Sequence, residues 1–269
     1  MPKLSIITIN YNNLQGLKQT IESVVNQTSS DFEYIVIDGA SSDGSKELIE
    51  SYQDNISYWV SEPDKGIYNA MNKGILASKG EYCQFLNSGD YLVNKDVIKN
   101  MLAKLDSSSI FYGNLIKVFA GGKSRRETEM DCQSLYSFYK GSLNHASVFI
   151  KKTLFDTYGL YDEKLKIVSD WKFFLEVLGL NNESVKYVNI DVTYFDMSGI
   201  SSSNRKLEQE ERRQVFVEKL PQTILNDFDK NKRAIEMFNR LRKNRLIFAL
   251  VFLMERMLFK IEKLKNKFN

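Results

Sequence analysis

Cysteine is scarce in this sequence of 269 residues, and its two positions exclude several kinds of protein. Cys83 and Cys132 stand far apart and show no zinc-ligand spacing, so we expect neither a structural zinc site nor a disulfide framework. Both side chains are expected to be free, buried thiols, which are typical of a reducing compartment. The composition therefore predicts a cytoplasmic protein.

Long apolar runs are also missing. The N-terminal run, residues 4–9, is shorter than the apolar region of a signal peptide and lacks a small-residue cleavage site, so we interpret it as a core strand. A second run, residues 246–254, has nine apolar residues, whereas a transmembrane helix needs about 20. The sequence predicts that neither run spans a membrane.

Charge is distributed unevenly along the chain. The net charge is +3, but residues 231–269 hold eleven Lys/Arg and three Asp/Glu, which leaves −5 for the remainder. No motif of a known nucleic-acid reader is present, so we predict no nucleic-acid partner. Residues 240–269 have the pattern of a basic interfacial helix on an anionic membrane, which predicts a peripheral protein of the inner membrane face. Packing on the rest of the chain, or on a second subunit in a homodimer, is the alternative.

Short β-branched runs alternate with segments of helical spacing over the first hundred residues. This alternation predicts an α/β fold with a mainly parallel sheet flanked by helices. We expect an α/β domain at 1–204, divided at residue 105, and a helical C-terminal extension at 205–269. The first half has four expected strands, at 4–9, 34–38, 56–60 and 82–86.

The second half shows the same kinds of signal with less regularity. Strands are expected at 109–118, 146–150 and 185–195, and Gly121 and Gly122 are expected to form a turn. Ser169 is expected to cap a helix whose apolar face includes Trp171. Helical spacing then runs from residue 205 to the end.

Polar residues follow each strand of the first half, where ligands bind in parallel sheets. Asp38 and Asp64 come after two of these strands, and Asn87, Ser88, Gly89 and Asp90 form a tight turn after a third. Carboxylate oxygens there suit Mg²⁺ or Mn²⁺ and the polar groups of a nucleotide. Ordinary turns and helix caps account for the same residues one at a time.

Two residues of the second half are further candidates. Asp170 follows Ser169 at the start of a helix, where an anion is stabilised, although acidic residues commonly decorate a first helical turn. His145 is the only histidine and precedes a strand. A structural role and a place in the site are both open for it.

Five segments together resemble the family-2 glycosyltransferases, which are inverting enzymes with a GT-A fold. The resemblance extends from residue 4 to about residue 203, and it depends on the order and spacing of the segments. They are SIITINYN at 5–12, IDGASSDG at 37–44, EPDKGIYNAMNKG at 62–74, FLNSGD at 85–90 and SDW at 169–171.

The resemblance implies a nucleotide-binding region and a flexible loop. It implies that a base, usually uracil, is held by Ile9, Asn10, Tyr11 and Asp38, with Asp64 and Lys65 near the base and ribose. It also implies a loop at 198–204, including Ser201, that closes over the donor. The implied fold is a Rossmann-like sheet within the GT-A class.

The resemblance also implies the catalytic groups. The turn from Asn87 to Asp90 matches the metal motif, so Asp90 would bind Mn²⁺ or Mg²⁺, with donor diphosphate and water as further ligands. Asp170 matches the catalytic base, and Ser88, Gly89, His145 and Trp171 would lie near donor or acceptor. The motif departs from the usual pattern because an amide, Asn87, replaces its first carboxylate. Metal binding is therefore expected to depend strongly on the donor.

The implied reaction moves one sugar from a nucleotide donor, UDP-linked in the usual case, to a hydroxyl of a glycan or polyprenyl-linked saccharide. A Gln-x-x-Arg-Trp segment of processive synthases is missing, which favours single additions of the kind used for bacterial surface polysaccharides. Two alternatives remain at this point. A sugar nucleotidyltransferase would normally carry a Gly-rich phosphate loop after its first strand, and a non-catalytic nucleotide- or glycan-binding scaffold would retain the fold without turnover.

Overall fold

The computed structural model describes residues 1–130, 132, 134–199 and 204–268. The chain forms two compact units, Met1–Val215 and Phe216–Asn269. The sequence-based division at residue 204 stays a prediction about domains.

The first half of the larger unit alternates strands and helices as the sequence predicts. Every residue of the first strand is buried, as expected for a central strand covered on both faces. The elements are β1 Leu4–Asn10, α1 Leu14–Val25, β2 Phe32–Asp38, α2 Ser45–Ser51, β3 Tyr58–Ser61, α3 Ile67–Ala77, β4 Tyr82–Phe85, β5 Tyr91–Leu92 and α4 Val97–Leu102.

The second half is less regular. After α7 the helical path widens into a π-helical segment at Leu175–Leu180. The elements are β6 Ile110–Val118, β7 Ser124–Glu127, α5 Leu135–Lys140, β8 Val148–Lys151, α6 Thr153–Tyr158, α7 Ser169–Phe174, β9 Val185–Asp196 and α8 Arg205–Lys219.

One sheet connects both halves in the order β3-β2-β1-β4-β8-β6-β9-β5, with β7 paired to β6. The first four strands are parallel, whereas β8 pairs antiparallel with both β4 and β6. The register sets Asn10 beside Asp38 and Asp38 beside Ser61. The carboxyl ends of β1, β2 and β3 therefore meet at one edge, and the expected α/β fold is confirmed.

The core of the larger unit comes from the apolar faces that the sequence pattern predicts. Leu17, Ile21 and Val24 of α1 are fully buried and belong to the same cluster as Ile6 and Val36 of the sheet. Burying each such side chain contributes about 1.5–3 kcal/mol. The edge of the sheet that holds the polar residues is thus fixed by a continuous core beneath it.

Three local predictions are corrected or refined. Ser169 does not cap α7; Val168 is the N-cap, and Ser169 is the first helical residue with its hydroxyl buried and unpartnered among the described residues. The strand expected at 146–150 begins at Val148, because Asn144 Oδ1 accepts from Ala146 N at 3.0 Å and closes a 3₁₀ turn. The strand expected at 56–60 begins at Tyr58, after a 3₁₀ turn at Gln53–Asn55.

Two further sequence predictions are confirmed. Gly121 and Gly122 form the turn between β6 and β7, with φ of 83° and 78°, which glycine adopts without strain. Cys83 and Cys132 are both buried, and no disulfide joins them.

The smaller unit contains α9, Gln222–Arg242, and α10, Arg245–Phe268. Helix α9 begins after Pro221, which lies at its N-cap. Phe238 and Phe248 make an edge-to-face contact between α9 and α10 with ring centroids 5.5 Å apart. Within the described residues, no helix has the length and apolar content to cross a bilayer.

Candidate active site

A cavity of about 990 Å³ opens at the carboxyl edge of the parallel strands. Its wall combines residues from the strand ends of the first half with residues from α5, α7 and α8. Most site residues that the sequence predicts lie on this wall: Ile9, Asn10, Tyr11, Asp64, Asn87, Ser88, Asp90, His145, Asp170 and Trp171. A large cleft with convergent polar groups is the usual form of a small-molecule site.

Four predicted site residues are placed otherwise. Asp38, Lys65 and Gly89 are not among the residues that line the cavity, and Lys65 is exposed. Gly89 holds a φ of 104° inside the turn that carries Asp90. Ser201 lies outside the described residues, as does most of the loop predicted at 198–204.

Asp38 is fully buried beside Asn10, which lines the cavity. Its carboxylate accepts hydrogen bonds from Asn10 Nδ2 at 2.8 Å, Ser61 Oγ at 2.6 Å, and both the amide and hydroxyl of Ser41. Burial alone would raise the pKa of Asp38, but these hydrogen bonds lower it below its ordinary value. Asp38 therefore holds the ends of β1, β2 and β3 together, with Asn10 between it and the cavity.

Gly39 explains how two wall residues come together. A Cβ at this position would lie 2.5 Å from Asp64 Oδ2 and 3.1 Å from a ring carbon of Tyr11. The Tyr11 side chain is otherwise open, with the residue 67% exposed. The missing side chain of Gly39 thus lets an aromatic ring and a carboxylate approach each other on the cavity wall.

Helix α1 fixes the turn that carries the predicted metal ligand. Thr20 Oγ1 donates to Asp90 O at 2.7 Å and accepts from Gly89 N at 3.0 Å. Asn13 Nδ2 donates to Ser88 O at 3.0 Å. Side chains of one helix thus satisfy the backbone of the turn and set the direction of the Asp90 side chain.

The Asp90 carboxyl is buried, and burial and the groups around it shift its pKa. Burial raises its pKa to about 7, opposed by the charge of His145 and a hydrogen bond from Asp196 N at 2.9 Å. Asn87 Oδ1, in the same turn, is buried without a hydrogen-bond partner among the described residues. The turn therefore contains a carboxylate whose charge is disfavoured by burial and an amide oxygen without a hydrogen-bond partner among the described residues. Oxygen ligands of this kind fit a hard divalent cation.

The protein alone supplies few ligands for such a cation. Within the described part of the chain, no group of three or more His, Cys, Asp or Glu side chains is arranged to hold a metal ion. Mg²⁺ commonly binds through one or two carboxylates plus substrate phosphates. The donor set is consistent with an ion that arrives together with a diphosphate.

Asp170 lines the same cavity, and each of its carboxylate oxygens makes a different contact. Its Oδ2 lies 3.0 Å from His145 Nδ1. Its Oδ1 accepts from the Tyr68 hydroxyl at 2.9 Å, and that hydroxyl also donates to Ile167 O at 2.6 Å, so the two acceptors share one proton. Burial alone would raise its pKa, but the hydrogen bonds from His145 and Tyr68 lower it below the ordinary value. The group is therefore an ionised, oriented carboxylate at neutral pH.

His145 contacts both Asn87 and Asp170 in the cavity. Its Nε2 lies 3.1 Å from Asn87 Nδ2, and its Nδ1 faces Asp170. The hydrogen bond and charge of Asp170 raise the His145 pKa, although burial opposes the shift. The structure thus places the only histidine inside the site, which the sequence left open.

Three residues of the site escape the sequence-based assignment. Tyr68 holds Asp170, and it lies in the segment 62–74 that carries the family resemblance. Glu211 of α8 accepts from the backbone N–H groups of Lys166 and Ile167 at 2.7 and 3.0 Å. Arg212 stacks over the Trp171 ring, with Cζ 4.8 Å from the ring centroid. The two α8 residues carry no sequence signal, because they lie among many charged residues of one helix.

The sheet order and the cavity at its strand ends define the structural class of this protein, the α/β class to which the GT-A fold belongs. Residues 5–162 match the family model described as glycosyl transferase family 2. An uncharacterized glycosyltransferase of Mycobacterium tuberculosis is 32% identical over 209 residues, which cover 75% of this chain and 78% of the relative. The chain belongs to glycosyl transferase family 2 and is a glycosyltransferase.

Solved structures support the fold. Staphylococcus aureus TarS, residues 1–349, superposes with a TM-score of 0.62 at 20% identity, covering 82% of this chain and 67% of that chain. The mannosyltransferase PcManGT of Pyrobaculum calidifontis superposes with a TM-score of 0.57 at 15% identity, covering 71% and 56%. Similarity at this level of identity concerns the fold of the chain.

Proposed function

We propose that this glycosyltransferase moves one sugar from a UDP-linked donor to an acceptor hydroxyl with inversion at the anomeric carbon. One observation carries the proposal: Asp170, an ionised carboxylate held by two side chains, lies on the same cavity wall as the turn that contains Asp90. A base and a diphosphate-binding turn that share one cavity fit attack by a hydroxyl on a nucleotide sugar.

The nucleotide side of the cavity offers an aromatic surface and hydrogen-bonding groups. Tyr11 presents an open ring on the wall, and Asn10 and Asp64 lie on the same side. Aromatic rings stack on nucleobases, and carboxylates accept from ribose hydroxyls. Asp38 supports this surface through Asn10. TarS has been solved with UDP-GlcNAc and with UDP, which supports a UDP-linked donor.

Asp90 and Asn87 are the residues that would hold Mn²⁺ or Mg²⁺. PcManGT has been solved with GDP-Man and Mn²⁺, which supports a metal in this fold. An ion held by these residues would supply positive charge to the diphosphate leaving group. Asp90 carries the negative charge of the protein part of the site, and Asn87 adds a neutral oxygen.

The residues of the chain account for the remaining chemistry. Asp170 takes the proton of the acceptor hydroxyl while the acceptor oxygen bonds to the anomeric carbon and the bond from that carbon to the diphosphate oxygen breaks. Tyr68 and His145 keep the Asp170 carboxylate from rotating. In-line attack from the face opposite the leaving group inverts the anomeric configuration.

Exposed apolar and basic residues of the smaller unit support the proposal of a membrane-bound acceptor. In α10, Leu250, Leu253 and Met257 are more than half exposed, and Arg256 and Lys260 are exposed on the same helix. Such a helix binds the surface of an anionic leaflet. We place the enzyme in the cytoplasm at the inner membrane face, acting on a glycan or polyprenyl-linked saccharide.

Alternatively, the exposed apolar residues of α10 pack against a second copy of the chain in a homodimer. The two other functions considered from the sequence gain no support. Family membership favours glycosyl transfer over nucleotidyl transfer, and the ionised Asp170 in the cavity favours catalysis over a binding scaffold.

Proton NMR of the product made from an α-linked UDP-sugar tests the proposed function. A screen with UDP-GlcNAc, UDP-glucose and UDP-galactose, using water and saccharides as acceptors, identifies the donor by UDP release. Inversion predicts that the first-formed product has the β configuration. A first-formed product of α configuration would contradict the single attack assisted by Asp170.

A further inference from the structure

His145 makes one contact with each of its ring nitrogens, and the two contacts belong to different parts of the site. Nδ1 lies 3.0 Å from Asp170 Oδ2, and Nε2 lies 3.1 Å from Asn87 Nδ2. The side chains of His145 and Asp170 are only 13% and 15% exposed, so water has little access to this contact. The imidazole therefore forms a bridge from the donor-side turn to the catalytic carboxylate.

The chemistry of the two partners determines where the imidazole proton must lie. A carboxylate only accepts hydrogen bonds, so Nδ1 must carry the proton of the hydrogen bond to Asp170. The Asn87 amide nitrogen only donates, so Nε2 must offer its lone pair. Of the two neutral tautomers, the Nδ1–H form is the one that satisfies both contacts.

We propose that His145 is a positioning residue with a separate task for each nitrogen. Through Nδ1–H it orients the Asp170 carboxylate toward the acceptor hydroxyl, while Tyr68 holds the other oxygen. Through Nε2 it holds Asn87 and with it the turn that faces the donor diphosphate. This inference rests on the proposed function for its catalytic part.

The geometry explains why one residue serves both tasks. A carboxylate with a single partner rotates about its Cβ–Cγ bond, whereas Asp170 has a different partner on each oxygen. Small misplacements of a reacting group reduce rates by as much as about 100-fold. The same ring also ties the base to Asn87, so donor-side and acceptor-side groups keep a fixed separation.

Two substitutions separate the tasks. His145→Asn retains an N–H near the Nδ1 position and has no group at the Nε2 position. His145→Gln reaches the Nε2 position and has no group at the Nδ1 position. His145→Ala removes both.

Calorimetric binding of UDP with Mn²⁺, turnover of UDP-GlcNAc to UDP with water as acceptor, and thermal unfolding are measured for each variant. We expect His145→Gln to keep UDP affinity close to that of the wild type but to lower kcat about 100-fold. We expect His145→Asn to weaken UDP binding about tenfold and to lower kcat much less than His145→Gln. His145→Ala is expected to show both defects.

The imidazole spectrum gives a readout that is independent of turnover. Because His145 is the only histidine, ¹⁵N-histidine labelling yields one pair of ring nitrogen signals, and we expect the Nδ1–H tautomer. An Nε2–H tautomer, or equal losses of kcat and UDP affinity in His145→Asn and His145→Gln, would overturn the proposal. Absence of UDP binding and turnover in the wild type would refute the proposed function and the catalytic part, while the spectrum would still decide the bridge.

Discussion

The charge of Asp170 depends on its immediate partners. Burial disfavours a carboxylate, and the pKa of Asp170 is nevertheless lowered by His145 and Tyr68. A base must be ionised before it accepts a proton, so these two contacts prepare the group for its proposed role. The low pKa also means that the carboxylate is fully available at neutral pH.

Asp170→Asn removes the base while keeping the side-chain shape. We expect UDP affinity to remain within about threefold of the wild type, because the donor-side residues are unchanged, and kcat to fall about 100-fold or more. Calorimetry and UDP release measure the two quantities. Turnover close to that of the wild type would show that another group takes the proton.

Asp90 shows the opposite electrostatic balance. Its pKa is raised from 3.8 to about 7 by burial, so the folded state holds the proton more tightly than the unfolded state. The stability from this group is fully present below about pH 3.8 and is lost as the pH rises through 7. The site is therefore destabilised at neutral pH until a cation compensates the charge.

Asp90→Asn tests this balance in the protein without metal or donor. The substituted side chain is uncharged at every pH. We therefore expect the Tm of the variant to exceed that of the wild type at pH 8 and the difference to shrink as the pH falls to 5. Differential scanning calorimetry at both pH values provides the measurement. A variant that is less stable than the wild type at pH 8 would show that burial of the ionised Asp90 carboxylate does not destabilise the protein.

At the scale of secondary structure, α8 supports the catalytic carboxylate from the second half of the chain. Glu211 is buried and accepts from the backbone N–H groups of Lys166 and Ile167, just before α7 brings in Asp170. Arg212 covers the Trp171 ring from the same helix. This helix therefore holds the segment that positions the base.

Glu211→Gln leaves at least one buried N–H group without an acceptor and removes the charge that strengthens both bonds. We expect a loss of about 1–3 kcal/mol in the free energy of unfolding and a fall in kcat that exceeds the change in UDP affinity. Urea unfolding measures the stability. Glu210→Gln, an exposed site on the same helix, is the control, and equal effects of the two substitutions would refute the role of Glu211.

The elements that the sequence predicts well are those with a strong local pattern. The run at 4–9 becomes a fully buried strand and the apolar face of α1 becomes core, because burial on one or two faces leaves a visible period. The insertion of β8 between β4 and β6 has no local signal, since pairing depends on tertiary packing. The cap at Ser169 is wrong for a related reason, because Val168 already occupies the capping position.

The sequence predicts which residues line the cavity where strand ends converge. It predicts them less well where burial decides whether a side chain faces the cavity. Asp64 and Asp90 line the cavity, as their position after strands suggests. Asp38 follows a strand in the same way, yet it turns toward Ser41 and Ser61. A sequence does not distinguish a carboxylate that faces a ligand from one that faces its own sheet.

At the scale of the whole molecule, charge and exposed apolar surface are concentrated in the smaller unit. Its last helix, α10, exposes apolar residues along most of its length, and the C-terminal 39 residues carry a net charge of +8. Contiguous apolar surface on a basic helix is unfavourable in water and favourable on an anionic membrane.

Deletion of residues 240–269 tests the membrane proposal. We expect the full chain to sediment with vesicles of anionic phospholipid and the truncated chain to remain in solution, with UDP affinity unchanged because the described cavity residues end at Arg212. Vesicles of zwitterionic lipid provide the control. Equal sedimentation of both chains would contradict the proposal, and a dimer that becomes a monomer on truncation would assign α10 to a subunit interface.

The central claim is that the turn from Asn87 to Asp90 helps to bind a UDP-linked donor through a divalent ion. Calorimetric titration of UDP, with GDP for comparison, into the wild type and into Asp90→Ala, with and without Mn²⁺, tests it most directly. We predict that Mn²⁺ strengthens UDP binding to the wild type about tenfold or more and has no such effect on Asp90→Ala. Equal strengthening in both proteins, or a wild type that prefers GDP to UDP, would contradict the account.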